Sequence, residues 1–245
     1  MDTEIRKIAV QDLHMGFKRD IEYEHQQFER ADAFYEYLGY SIQRVDMNTP
    51  ESKDLQMKDI DVIATKSKHK YRISEKFSSR KDGDFVAELF HSRTKDHKGW
   101  SDYGESDFIF YFHLEDKKVH CVNTSQLQSW LSLNQYTLDT AVKHMDSALT
   151  YGYRTVDMRL CNRKGQDSKT YKLGLYKDRE GHIILFLGWD QLKGFGIACK
   201  EWEIPDTDVL TDEELKDVLK VQDVDHPLMS IGRKVEKAVV KKLQP

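Results

Sequence analysis

The chain has 245 residues, enough for one large domain or for a core with a smaller appendage. Hydrophobic residues make up 39% and charged residues 33%, a globular composition with a polar surface, and no apolar run reaches the roughly 20 residues of a membrane span. A net charge of −4 argues against a uniformly basic nucleic-acid binder, so any such role must rest on a local patch.

The N-terminus, MDTEIRKIAVQDLHMGFKRD, has no apolar core of a signal peptide. Residues 20–38 repeat apolar side chains at helical spacing through Ile21, Phe28, Ala31, Tyr35 and Leu38, which predicts a helix ending at Gly39. Glu24 falls inside that apolar stripe. Either it meets a partner such as a metal ion or a lysine, or the helix end frays and leaves it to solvent. Residues 40–45 alternate as a strand, and residues 48–58 read as a loop.

Three short strands are predicted next, at 60–64 (IDVIA), 71–77 (YRISEKF) and 85–90 (FVAELF). Their short polar links suit an antiparallel meander. The run DFIFYFHL at 107–114 is the strongest strand signal, followed by VHCV at 119–122 and a helix from Ser125 to Leu133 capped by Thr124. Further on, a helix is predicted at 138–149, a hairpin at 171–189 turning at 178–181, and helices at 211–221 and 231–243. This order implies an α/β or α+β fold with a central mixed sheet flanked by helices. The predicted organisation is a core over 1–137 with a C-terminal extension over 138–245 packing on it for substrate binding or assembly.

Charge enters these strands where a plain core would exclude it. Alternation places Arg72, Ser74 and Lys76 on one face and Tyr71, Ile73, Glu75 and Phe77 on the other. Asp59 and Asp61 lie in or beside the preceding strand and Glu88 in the following one. On strands about 4.8 Å apart, Asp61, Lys76 and Glu88 can converge. Carboxylates gathered there suit a hard divalent cation, and a neighbouring ammonium suits the charge that builds on phosphorus. A cross-strand ion pair at a sheet edge explains the same residues.

The order of helix glutamate, strand, Asp strand, strand with lysine and strand with glutamate resembles the PD-(D/E)XK nuclease superfamily, with its restriction-endonuclease-like fold. The resemblance covers roughly residues 20–133. GWSDYGESDFIFYF, followed by the helix TSQLQSWL, is similar to the core of phage and resolvase-like members. It implies a metal-dependent nuclease, an endonuclease rather than an exonuclease, hydrolysing DNA with Mg2+, for which Mn2+ can substitute. Asp61 then matches the first metal-binding aspartate and Lys76 the motif lysine. The position two before the lysine is Ser74 instead of an acid. Glu88 is the natural displaced carboxylate and would share the metal with Asp61. Glu75 is the alternative if a bulge turns it, and Glu24 matches the helix glutamate. Ser74 leaves open an inactive nuclease fold that binds DNA or a host protein.

A basic stretch would hold phosphates: Lys68, Lys70, Arg72, Arg80 and Lys81, with Arg93, Lys95 and Lys98 following. A solvated charged surface reads equally well. Cutting two strands implies a homodimer. No nucleotide-binding loop occurs, so no nucleotide cofactor is expected. The three cysteines, Cys121, Cys161 and Cys199, are scattered and lack zinc spacing, which suits free thiols in the cytoplasm. The histidines read as surface or satisfied groups, with His91 a candidate phosphate contact. Trp100 reads as a core residue beside Phe108 and Phe110.

Overall fold

The computed structural model describes residues 27–46, 48–78, 83–92, 96–113, 116–147, 151–179 and 181–204. Helix α1 is described over 27–37, and Gly39 ends it with φ +76°, a left-handed conformation that glycine adopts without steric cost. The apolar spacing works as the sequence implies: Ala31, Phe34, Tyr35 and Leu38 are all buried. Residues 20–26, Glu24 among them, and the predicted C-terminal helices lie outside the described residues.

The elements that follow are β1 (Ser41–Arg44), α2 (Pro50–Met57), β2 (Val62–Lys66), β3 (His69–Ser78), β4 (Phe85–Ser92), β5 (His97–Lys98), α3 (Trp100–Tyr103), β6 (Phe108–His113) and β7 (Lys118–Asn123). The remainder is α4 (Thr124–Leu133), α5 (Gln135–Ser147), β8 (Gly152–Leu160), β9 (Lys169–Lys177), β10 (Ile183–Leu187), α6 (Trp189–Gly194) and β11 (Cys199–Glu203). The fold is mixed α/β, built on a mixed central sheet.

The first sheet has the order β1-β2-β3-β6-β7-β11. All its pairings are antiparallel except β3 with β6, which run parallel from Ile73 opposite Phe108 to Ser78 opposite His113. One face packs under α1 through Phe34, Tyr35, Ile73, Phe110 and Phe112. The other packs, through Ile109, Tyr111 and Val122, against a second sheet and α4 and α5. Strand β6 is buried at every position, as a strand covered on both faces must be.

The second sheet, order β5-β4-β10-β9-β8, is entirely antiparallel. This corrects the expected meander, because β4 does not lie beside β3. The open edge of β3 is taken by β6, whose apolar side chains fill both layers. β4 alternates buried Phe85, Ala87 and Leu89 with half-buried Val86 and Glu88, a pattern suited to a sheet with one wetter face.

Residues 48–58 also differ from expectation. α2 buries no side chain, so periodicity could not reveal it. Its start is written in Thr49, whose hydroxyl accepts from Ser52 N at 3.1 Å, with Pro50 leading the first turn. α4 is capped by Asn123 rather than Thr124, with Oδ1 accepting from Gln126 N at 3.0 Å. The expected hairpin forms between β9 and β10. Within residues 138–204, β8, β9 and β10 complete the sheet of β4, and β11 pairs with β7. No helix among the described residues is long and apolar enough to cross a membrane.

Candidate active site

The β2–β3 hairpin positions the charged residues. Val62 faces Ile73, and the backbone of Asp61 donates to Ile73 O at 2.8 Å, so Asp61 sits at the mouth of β2 beside the middle of β3. Asp59 ends the turn after α2 with φ +56°, a conformation that Asp tolerates better than most residues. That turn aims its side chain at β3. Asp59 Oδ1 accepts from Lys76 Nζ at 2.7 Å, and Oδ2 accepts from Ser74 Oγ at 2.7 Å. Asp61 Oδ2 accepts from the backbone N–H of Glu75 at 2.7 Å.

Lys76 therefore faces carboxylates from the preceding turn and strand. Burial pushes its ammonium down, but Asp59 and Asp61 outweigh this and raise it, so Lys76 stays charged across the neutral range. Burial raises the Asp61 carboxyl, with Lys76 pulling the other way. The Lys76 ammonium also lies 5.0 Å from the centre of the Trp100 ring. Trp100 packs edge-on against Phe85, not against Phe108 and Phe110, which face the α1 layer.

Glu88 reaches this region from the opposite sheet rather than from a neighbouring strand. Its Oε2 accepts from Trp100 N at 3.2 Å, and Ser101 Oγ donates to its carbonyl. Glu88 and Lys76 thus flank Trp100. Tyr103 senses both sides: burial raises its hydroxyl, Asp59, Glu88 and Asp61 add to that, and Lys76 opposes. Yet Asp61 and Glu88 are not members of one ligand group. Among the described residues, the His, Cys, Asp or Glu ligand atoms lying within 4.8 Å of one another in a group of at least three belong to Glu88, His91 and His182.

Glu75 lies on the other face of β3, and no bulge turns it. Its Oε2 accepts from Arg44 Nη1 at 2.7 Å, and the same guanidinium donates to Asp32 Oδ1 at 2.5 Å. Burial pushes the Glu75 carboxyl up to about 7 against the pull of Arg44, while Arg44 itself is raised by these acids despite its own burial. The carboxyl is raised because one cation is divided between two acids and Glu75 Oε1 is buried without a hydrogen-bond partner. Burial raises the Tyr35 hydroxyl, and the charge of the nearby Glu75 adds to that.

Of the expected phosphate contacts, Lys68 and Lys70 are exposed at the β2–β3 turn. Arg72 is held by Asp107, with Nη2 to Oδ1 at 3.0 Å, on the wall of a cavity of about 530 Å³ that Lys70 and Gly104 also line. Lys98 lies 4.4 Å from the centre of the Phe90 ring. Arg80, Lys81, Arg93 and Lys95 lie outside the described residues. Asp59 is the lysine partner that strand alternation missed, since it sits on a turn where the period of two does not apply. The chain matches no family model, no curated protein and no solved structure.

Proposed function

We propose that this chain is a metal-dependent nuclease that hydrolyses DNA phosphodiester bonds at the Asp59–Asp61–Lys76 cluster. One observation carries the reading: a lysine ammonium held 2.7 Å from Asp59, with the half-buried carboxyl of Asp61 beside it. The residues fit a hard cation. A half-buried acid whose charge desolvation disfavours is favoured by a positive partner, and the donors are oxygens. Asp61 and Asp59 would hold Mg2+ or Mn2+, with Glu88 facing them across Trp100. When bound, such an ion neutralises phosphate charge and lowers the pKa of water.

Lys76 is a cation at neutral pH, so its role is to orient the attacking water and stabilise charge on the phosphoryl oxygens, not to accept a proton. Lys68 and Lys70 supply exposed positive charge for the DNA backbone, and that contribution weakens with salt. Cutting both strands of a duplex would bring two such centres together in a homodimer. A cytoplasmic setting is consistent with the free thiols.

The test is incubation of the full chain with plasmid, linear and branched DNA plus Mg2+ or Mn2+. Cleavage should fall at least 100-fold in Asp61→Ala and in Lys76→Ala. Cleavage that survives both substitutions sinks the proposal. A second reading, an inactive nuclease fold that binds DNA or a host protein, is favoured by Ser74. It stands where the family pattern has an acid, and its hydroxyl occupies Asp59 Oδ2. That reading expects DNA retention in a gel shift with no cleavage and no Mg2+ heat in calorimetry.

A further inference from the structure

We infer that Glu88, His91 and His182 form a binding site for a borderline-soft divalent ion of the Zn2+ class, separate from the Asp59–Lys76 cluster. Each residue offers one ligand atom, and the three atoms lie within 4.8 Å of one another. The His91 and His182 rings are 4.8 Å apart and tilted by 31°, and Glu88 Oε1 is 3.3 Å from His91 Nδ1.

The backbone builds this group by breaking strand alternation. Residues three apart on a regular strand point to opposite faces, so Glu88 and His91 should diverge. The register shifts here: Ile184 faces Glu88, but the adjacent Ile183 faces Phe90, leaving Leu89 as an extra residue. Leu89 and Phe90 are both buried as a result, and Glu88 and His91 emerge on the same side. Continuing the register sets His182 opposite His91. Gly99 holds the other flank, since a Cβ there would sit 2.7 Å from Glu88 Cγ.

His182 is oriented before any ion arrives. Asp178 Oδ2 lies 2.8 Å from its Nδ1, and Asp178 Oδ1 accepts from the His182 backbone N–H at 2.9 Å across the β9–β10 turn. A carboxylate on Nδ1 fixes the tautomer and leaves Nε2 as the ligand atom, the arrangement that supports most metal-bound histidines. Two imidazoles and one carboxylate select Zn2+, Co2+ or Ni2+ over Mg2+ and Ca2+, which take oxygen shells. Three protein ligands leave a fourth position for water or an anion. Side-chain exposures of 17% for Glu88, 30% for His182 and 64% for His91 keep the entry open.

Titrating the full chain with Co2+, followed by visible absorption and calorimetry, tests this. One tightly bound ion is expected, displaced by Zn2+ and not by millimolar Mg2+. His91→Ala and His182→Ala should each weaken binding at least tenfold. Asp178→Asn should weaken it about tenfold with an unchanged circular dichroism spectrum. Asp61→Ala should leave Co2+ affinity unchanged, which separates this site from the proposed nuclease centre. Wild-type affinity in the His91→Ala, His182→Ala double variant overturns the inference, as does displacement by Mg2+ or the absence of Co2+ binding. Should the double variant lose its fold, His91→Ala alone, at an exposed position, decides.

Discussion

The two faces of β3 solve the same problem in opposite ways. On the α1 face, Glu75 is a buried acid whose cation, Arg44, is divided with Asp32. On the other, Lys76 is a largely buried cation facing Asp59 and Asp61. On each face two acids share one cation, but on the α1 face burial pushes Glu75 towards neutrality, while on the other Lys76 stays ionised between Asp59 and Asp61. Neighbouring residues in one strand thus differ in how they meet burial: Glu75 can shed its charge by taking up a proton, and Lys76 keeps its own.

The largest effect expected from this contrast is on Lys76. Replacing it in Lys76→Met leaves Asp59 and Asp61 together without their cation, at a cost of about 3 kcal/mol in chemical denaturation. Arg44→Met should cost less, about 2 kcal/mol, because Glu75 can take up a proton and remove its own charge. Equal losses in the two variants would erase the distinction between the faces.

Titration sharpens the same point. Glu75 is ordinarily near 4.5 and is raised to about 7 in the folded protein. The folded state therefore holds this proton more tightly. Stability from the group is complete below about 4.5 and is lost as pH rises through about 7. Thermal unfolding of wild type and Glu75→Gln between pH 5 and 8 should show the wild type losing stability relative to the variant as pH rises. His120, stacked on Trp189 at 3.9 Å, works in the reverse sense. Burial lowers it to about 4 despite Glu201, so its contribution is present above about 6.5 and lost as pH falls towards 4. His120→Gln should flatten the acid side of the profile. The smallest effect belongs to Ser74→Ala, about 1 kcal/mol from one hydrogen bond to Asp59 that Lys76 partly replaces.

Much of the hairpin was legible in the sequence. The alternation in YRISEKF places Glu75 and Lys76 on opposite faces of β3, and β2 pairs with β3 through the short turn at Ser67 and Lys68. The helix spacing in α1 and the hairpin of β9 and β10 were equally direct, because periodicity and turn residues are local. Which strand fills the free edge of β3 is not local. The link after β3 reads alike whether the chain turns back or crosses to another sheet, so strand spacing alone sets Glu88 beside Lys76 instead of across from it. β8 and β11 leave little mark in the sequence: β8 is half exposed, so its apolar alternation is faint, and β11 mixes charge with Trp202. The cluster of Glu88, His91 and His182 stayed hidden because a bulge cancels the spacing rule and because its third member enters from a distant turn.

Strand β4 carries a consequence for how the molecule is made. Its main partner, β10, begins at Ile183, and β11 closes the first sheet only at Cys199. A chain emerging from the ribosome has β4 in hand long before either arrives, with Phe85, Ala87 and Leu89 still in search of cover. Pairings this remote in sequence are slow to form and leave apolar edges open to wrong partners. Synthesis halted before β10 should therefore yield an aggregation-prone fragment rather than a smaller folded protein.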